Sequence, residues 1–201
     1  MGNMIKCEKI NLSFPGQLIC KDLSFEVFAG ESICFSGPSG KGKSSLLKVL
    51  MGFITPQSGN IQIDGLELNS DTIAAIRNKM IWLPQNSNLP VDSANELSDL
   101  LQMNAEQVER FQQFQDQLGV KECGFDKSFA EISGGQKQRI VLAACLSLDK
   151  PIILLDEPVS ALDDHSIDLL FATLNSLPDK TIVSTSHNKK WIDYCNRTIE
   201  L

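Results

Sequence analysis

The sequence is short of several things, and each shortage removes a class of function. No stretch of its 201 residues approaches the roughly 20 consecutive apolar residues of a membrane-spanning helix. The N-terminus has no basic region followed by an apolar run, so no secretory signal is expected. It begins Met1-Gly2, as an acylation site would, but Lys6 stands where Ser or Thr is needed. Any membrane role then falls to a partner. Positive charge is also scarce: 18 Lys and Arg against 25 Asp and Glu give a net charge of −7. Proteins that grip nucleic acid display a basic face, so no nucleic-acid partner is expected. Closely paired cysteines are missing too. Cys7, Cys20, Cys34, Cys123, Cys145 and Cys195 show neither zinc nor redox spacing. Cys34 and Cys145 lie in apolar surroundings and read as reduced core residues.

What is present suits one globular domain with a real core, since 42% of residues are hydrophobic. Residues 4–13 and 23–28 have strand length and apolar patterning. "SICFS" (32–36) is a short apolar strand that runs straight into glycines, and "SSLLKVLMG" (44–52) follows with helical spacing and a closing glycine. "SGNIQIDG" (58–65) and "MIWLPQ" (80–85) read as further strands. From about 93 to 121, Leu97, Leu100, Leu101, Val108, Phe111, Phe114 and Leu118 recur at helical spacing among polar residues, as in an inserted helical subdomain. "GGQKQRIVLAACLSL" (134–148) opens another helix. "PIILLDEP" (151–158) is wholly apolar before its two acids, the pattern of a strand buried on both faces. A helix at about 164–176, a strand "TIVSTSH" (181–187), a short helix and "RTIEL" complete the chain. Alternating strands and helices predict an α/β domain with a mainly parallel central sheet.

The densest signal is "GPSGKGKS" (37–44). It fits G-x-x-x-x-G-K-[ST] with Gly37, Gly42, Lys43 and Ser44 in place; Pro38, Ser39, Gly40 and Lys41 fill the variable positions, and Ser45 follows. A polyphosphate needs many donors at once. Glycines let successive backbone N–H groups point inward, and the helix behind them adds its free N–H groups and positive dipole end. Lys43 would reach the β- and γ-phosphates, and the Ser44 hydroxyl would take a place on Mg²⁺. The plain alternative is a glycine-rich turn before a helix. A second element argues against it: "IILLDE" delivers Asp156 to the carboxyl end of a buried strand, where ligands of such sheets bind. Asp156 would hold Mg²⁺, and Glu157 could act as general base on an attacking water.

A third element narrows the class. "ISGGQKQR" (132–139) resembles the signature of ABC-type ATPases, usually written LSGGQ. The resemblance extends over the whole chain. Gln85 falls at the family's Q-loop glutamine and would sense Mg²⁺ or the attacking water. Ser160–Asp163 match the D-loop, His187 the switch histidine that contacts the γ-phosphate, and Phe14 the aromatic that stacks on adenine. The resemblance implies a P-loop NTPase fold with an N-terminal antiparallel β subdomain and an inserted helical subdomain. Approximately 1–85 and 131–201 would form the catalytic core and 86–130 the helical part. It also implies a head-to-tail dimer in which each ATP lies between the Lys43 loop of one subunit and Ser133, Gly134, Gly135 and Gln136 of the other. Residues alone read Ser133 as a helix N-cap, which is compatible with that role. The chain departs from the family pattern at Phe14 (commonly Tyr), Ile132 (Leu), Ala144 (often Arg) and Asn188 (often Asp). None of these removes a group that hydrolysis needs.

The stretch between Lys43 and Ser133 has no room for a long coiled coil, which sets aside chromosome-organising relatives. A single cassette sets aside the translation type. The resemblance therefore implies the ATPase subunit of a membrane transporter, working with separate permease subunits and a second, identical ATPase subunit. It would sit on the cytoplasmic face of the membrane through the permease, without inserting itself. Loosely, the chain resembles small bacterial ATPases of the iron-export type. The alternative is an ABC-type ATPase coupled to a non-transport complex for cell-wall remodelling or iron–sulfur assembly. Its catalytic motifs would be the same. A kinase-like P-loop protein fits poorly, because no acceptor-binding motif accompanies the signature.

Overall fold

The computed structural model describes residues 2–85 and 89–201. The expected start of the helical segment, at Asn86–Asn88, lies outside the described residues, as does Met1. The chain opens with a long hairpin, β1 (Asn3–Phe14) and β2 (Gln17–Phe28), turning at Pro15-Gly16. Both strands run further than their apolar patterning suggests. Their register shifts several times, and Lys9 and Asp22 take positive φ at these irregularities. Then come β3 (Ser32–Ser36), α1 (Lys43–Leu50), β4 (Ser58–Ile63), β5 (Leu66–Glu67), the short α2 (Ile73–Arg77) and β6 (Met80–Leu83).

The expected helical stretch is two helices, α3 (Ala94–Leu100) and α4 (Ala105–Gln117). Asn104 explains the break: its side chain accepts from Gln107 N–H while Gln107 accepts from Asn104 N–H, a complete capping box that starts a new helix. Beyond two 3-10 turns lie α5 (Gly134–Ser147), β7 (Ile152–Asp156), α6 (Asp164–Asn175), β8 (Thr181–Thr185), α7 (Lys189–Tyr194) and β9 (Arg197–Glu200).

Two sheets result. An antiparallel sheet has the order β2-β1-β4-β5, and a parallel sheet the order β6-β7-β8-β3-β9. Side chains alternate across a strand, and here the alternation feeds two cores. Ile33, Phe35, Ile152, Leu154 and Val183 pack toward α1 and the antiparallel sheet. Cys34, Ile153, Leu155 and Ile182 pack toward the helices on the other face, with Phe111, Phe114 and Trp191. This is why "IILLD" has no polar member before its acid: every residue of β7 is buried. Phe35 meets Phe25 edge to face at 5.3 Å, locking the two sheets together; truncating it to Ala costs about 3–5 kcal/mol.

The strand order also fixes where chemistry sits. The carboxyl ends of β6, β7, β8 and β3 lie side by side. They release Gln85, Asp156-Glu157, Thr185–His187 and the glycine loop, so motifs far apart in sequence meet at one rim of the sheet.

Candidate functional site

The loop after β3 needs its glycines. Gly40 and Gly42 have φ of 80° and 87°, in the left-handed region that favours glycine. A Cβ on Gly42 would lie 2.5 Å from the Ile19 side chain of β2. The loop is held from the same side by Gln17, whose amide donates to the Gly40 carbonyl. Lys43 is 6% exposed. Its ammonium folds back to donate to the carbonyls of Gly37 at 2.8 Å and Pro38 at 3.1 Å, and stands 3.9 Å from Glu157 Oε1. A buried ammonium with donors spent on its own loop is already desolvated and placed for an anion.

Ser44 donates its hydroxyl to Asp156 Oδ1 at 2.8 Å. Thr185 donates to the same oxygen at 2.6 Å. The Thr185 hydroxyl and carbonyl both accept from Glu157 N–H at 3.1 Å. Glu157 has φ of 50°, a strained conformation for a residue with a Cβ, and is 6% exposed. Its Oε1 lies 3.0 Å from His187 Nδ1, while its Oε2 is buried without a hydrogen-bond partner. The His187 side chain is otherwise open to solvent.

These groups line one open cleft of about 300 Å³, formed by Phe14, Gln17, Ile19, Ser39, Gly40, Gly42, Lys43, Ser44, Ser45, Gln85 and Glu157. Gly37 and Pro38 join it through Lys43, Asp156 through Ser44, and His187 through Glu157. Lys41 is exposed on the loop. The oxygens of Ser44, Asp156 and Gln85 suit Mg²⁺, which takes one or two carboxylates and leaves other positions to water and substrate phosphates. Consistent with so sparse a donor set, the described residues contain no cluster of three or more His, Cys, Asp or Glu that could hold a metal.

The signature residues do not line this cleft. Ser133 caps α5: its hydroxyl accepts from Gln136 N–H at 3.2 Å, and Gln136 Oε1 accepts from Ser133 N–H at 2.9 Å. Ser133 and Gly134 are exposed. Gly135 is not free to change, because a Cβ there would lie 2.7 Å from the Ala161 carbonyl. Asp163 caps α6 by accepting from Ser166 N–H at 2.8 Å; bonds from the Ser166 side chain and backbone hold its carboxyl below the usual range. Asn188 likewise caps α7, accepting from Trp191 N–H at 3.2 Å. Ala144 is fully buried, within the helical core cluster. Gln17 and Thr185 escape motif matching, and Gln138 and Arg139 lie in the signature stretch without a role assigned to them. Their signal is tertiary, each bonding to a residue remote in sequence.

A glycine loop between a parallel strand and a helix, with an acid pair on a nearby strand, defines the P-loop NTPase class. The family model for "ABC transporter" matches residues 20–160. The energy-coupling factor transporter ATP-binding protein EcfA1 of Lacticaseibacillus paracasei is 32% identical over 200 residues, covering 94% of this chain and 72% of that protein. The thiamine import ATP-binding protein ThiQ of Vibrio vulnificus is 35% identical over 192 residues, covering 92% and 81%. Among solved structures, the dimeric post-hydrolysis ATP-binding cassette MJ0796 with ADP and Pi superposes with a TM-score of 0.86 at 27% identity, covering 98% of this chain and 94% of that one. An ATP-bound Atm1-family exporter superposes at 0.87 and 26% identity, with this chain spanning 36% of its length. The chain belongs to the ABC transporter family, as an ATP-binding subunit and an ATPase.

Proposed function

We propose that this ATPase binds Mg-ATP in the Lys43 cleft, that two copies close head to tail over two ATP molecules, and that separate membrane permease subunits take up the motion. The split arrangement carries this reading. Lys43, Ser44, Glu157 and Gln85 share a cleft, whereas the exposed start of α5 lies outside it. A second copy turned end for end would bring its Ser133–Gln136 to the open side of that cleft. There the capped helix start would add N–H donors to the phosphates, and Asp163 would lie alongside.

Each residue then has a task. Lys43 exchanges the carbonyls of Gly37 and Pro38 for phosphate oxygens, a charge-for-charge gain over a dipole. The loop glycines and Ser45 present backbone N–H groups, and the exposed ring of Phe14 offers a face for the base to stack on. Ser44, Asp156 and Gln85 would hold Mg²⁺, which when bound neutralises charge on the β- and γ-phosphate oxygens. Glu157 takes the proton of the attacking water. Its orphaned Oε2 is an acceptor with no competing donor, while His187 restrains Oε1. In the closed state His187 moves to the γ-phosphate.

The helical part, 86–130, would face the permease, and the core, 1–85 with 131–201, would hold the nucleotide. Among the described residues no helix is long and apolar enough to cross a membrane. Membrane association on the cytoplasmic face would therefore run through the permease, as the transporter names of the relatives suggest.

The test is Glu157→Gln. It should bind Mg-ATP, turn over at least about 100-fold more slowly and accumulate as a dimer by light scattering. Captured from detergent-solubilised membranes, it should bring down a multi-span protein. A variant that stays monomeric at saturating Mg-ATP, even with that protein present, sinks the sandwich. A soluble or single-span partner would favour the non-transport reading.

A further inference from the structure

Two neighbouring residues just past the signature fasten α5 in opposite directions. Gln138 is 6% exposed, and its Nε2 donates to the carbonyls of Pro158 at 3.1 Å and Glu157 at 3.4 Å. Its Oε1 is buried without a donor. Arg139 reaches the other way, donating to the Leu118 carbonyl at 2.9 Å where α4 ends. Gly135 abuts the Ala161 carbonyl. The start of α5 thus presses on the segment 157–161 at two points.

That segment carries a strained residue. Glu157 has a φ of 50°, and its peptide groups are gripped on both sides. Thr185 receives its N–H. Its carbonyl accepts from Ser160 N–H at 3.2 Å and from Gln138. Gln138 is the one grip that comes from the signature helix. An amide with one satisfied end and one orphaned end is a poor stabiliser, because a buried unpaired oxygen costs what the bonds at the other end contribute. A residue kept for packing alone would be apolar there.

We propose that Gln138 is a positioning residue for hydrolysis. It holds the Glu157-Pro158 peptide from the α5 side and so keeps the Glu157 carboxylate on the attacking water. The inference rests on Glu157 being the base and on the head-to-tail pairing. It adds a link between them: the helix that serves one ATP through Ser133 also steadies the base acting on the other.

Gln138→Met keeps length and bulk but removes the donor. In the full chain, ATP affinity should stay within about twofold while kcat falls about tenfold or more, the signature of a misaligned group rather than of lost binding. A double-mutant cycle supplies the readout that a packing role would not move. In single-turnover hydrolysis followed over hours, adding Gln138→Met to Glu157→Gln should cost nothing further, because the effect acts through Glu157. If Gln138→Met fails to fold, Gln138→Asn, which keeps the amide but loses its reach, runs the same cycle. Parental kcat, a loss of affinity matching the loss of kcat, or the same fold loss in the Glu157→Gln background each overturns the proposal. Parental turnover by Glu157→Gln itself would instead overturn the base assignment. A dead Glu157→Gln beside an unimpaired Gln138→Met overturns Gln138 alone.

Discussion

Thr185 offers the sharpest perturbation of the cleft, because one hydroxyl serves both acids. Thr185→Val keeps the shape of a fully buried side chain and deletes only that hydroxyl. The Glu157 N–H keeps a partner, since the Thr185 carbonyl also accepts it at 3.1 Å. Asp156 keeps the Ser44 hydroxyl at 2.8 Å but loses its 2.6 Å donor. One hydrogen bond to a buried carboxylate is therefore lost, worth about 1.5–3 kcal/mol. In a domain of this size that lowers the melting temperature by roughly 4–8 °C for ~2 kcal/mol. Asp156 also loses one of the two side chains that fix its rotamer. With Asp156 holding Mg²⁺ as proposed, each ~1.4 kcal/mol felt at its carboxylate is a tenfold rise in half-saturating Mg²⁺. Calorimetric melts and Mg²⁺ titrations of ATP hydrolysis would read both effects. Thr185→Ser, which restores the hydroxyl, should recover most of each. If the Val variant matches parent and Ser variant in both assays, the Thr185–Asp156 bond has no part in the site.

Two further outcomes follow from titration. Burial pushes the Cys7 and Cys145 thiols up to about 12, and a hydrogen bond donated by Cys195 to Cys34, then burial, pushes Cys195 up as well. Thiolate is the reactive form, so these three should resist a disulfide reagent at pH 8 in the native protein and react once urea unfolds it; rapid native labelling of Cys145 would refute the packing of α5. Lys180, then Arg110, hold the Asp149 carboxyl below its usual range. A depressed folded value means stability present above the unfolded pKa and lost as pH falls through the folded one. Asp149→Asn should therefore destabilise at pH 7, by under about 1 kcal/mol since the carboxylate is 55% exposed. The difference from the parent should vanish in acid, and a constant difference from pH 7 to pH 2 would count against the ion pairs.

Local signals made much of the fold legible. The glycine loop, the apolar run into Asp156 and the capped start of α5 each state their structure in under ten residues. Strand ends and helix breaks were less legible. Lys21-Asp22 interrupts the apolar pattern of β2, yet the strand continues through a bulge, because its partner strand rather than its own pattern holds it. Leu97 to Leu118 keep helical spacing across a real break, since the spacing survives a turn and only the Asn104–Gln107 box marks it. The support of the site was least legible. Thr185 looks ordinary in sequence, and Gln138 lies in the signature stretch with nothing to mark its partner; only the order of the strands places β8 between β7 and β3 and sets α5 against Glu157.

That strand order also makes the molecule two-faced for an engineer. Apart from Phe14, Gln17 and Ile19 of the antiparallel hairpin, the groups placed in the cleft follow the carboxyl ends of the parallel strands. Opposite them, where β3, β8 and β9 begin, a shallow basin is formed by Phe28, Ala29, Gly30, Glu31, Pro178, Asp179 and Asn196. A dye or linker attached at Asp179 would sit a full strand length from the glycine loop, a natural place to report on the molecule from outside its cleft.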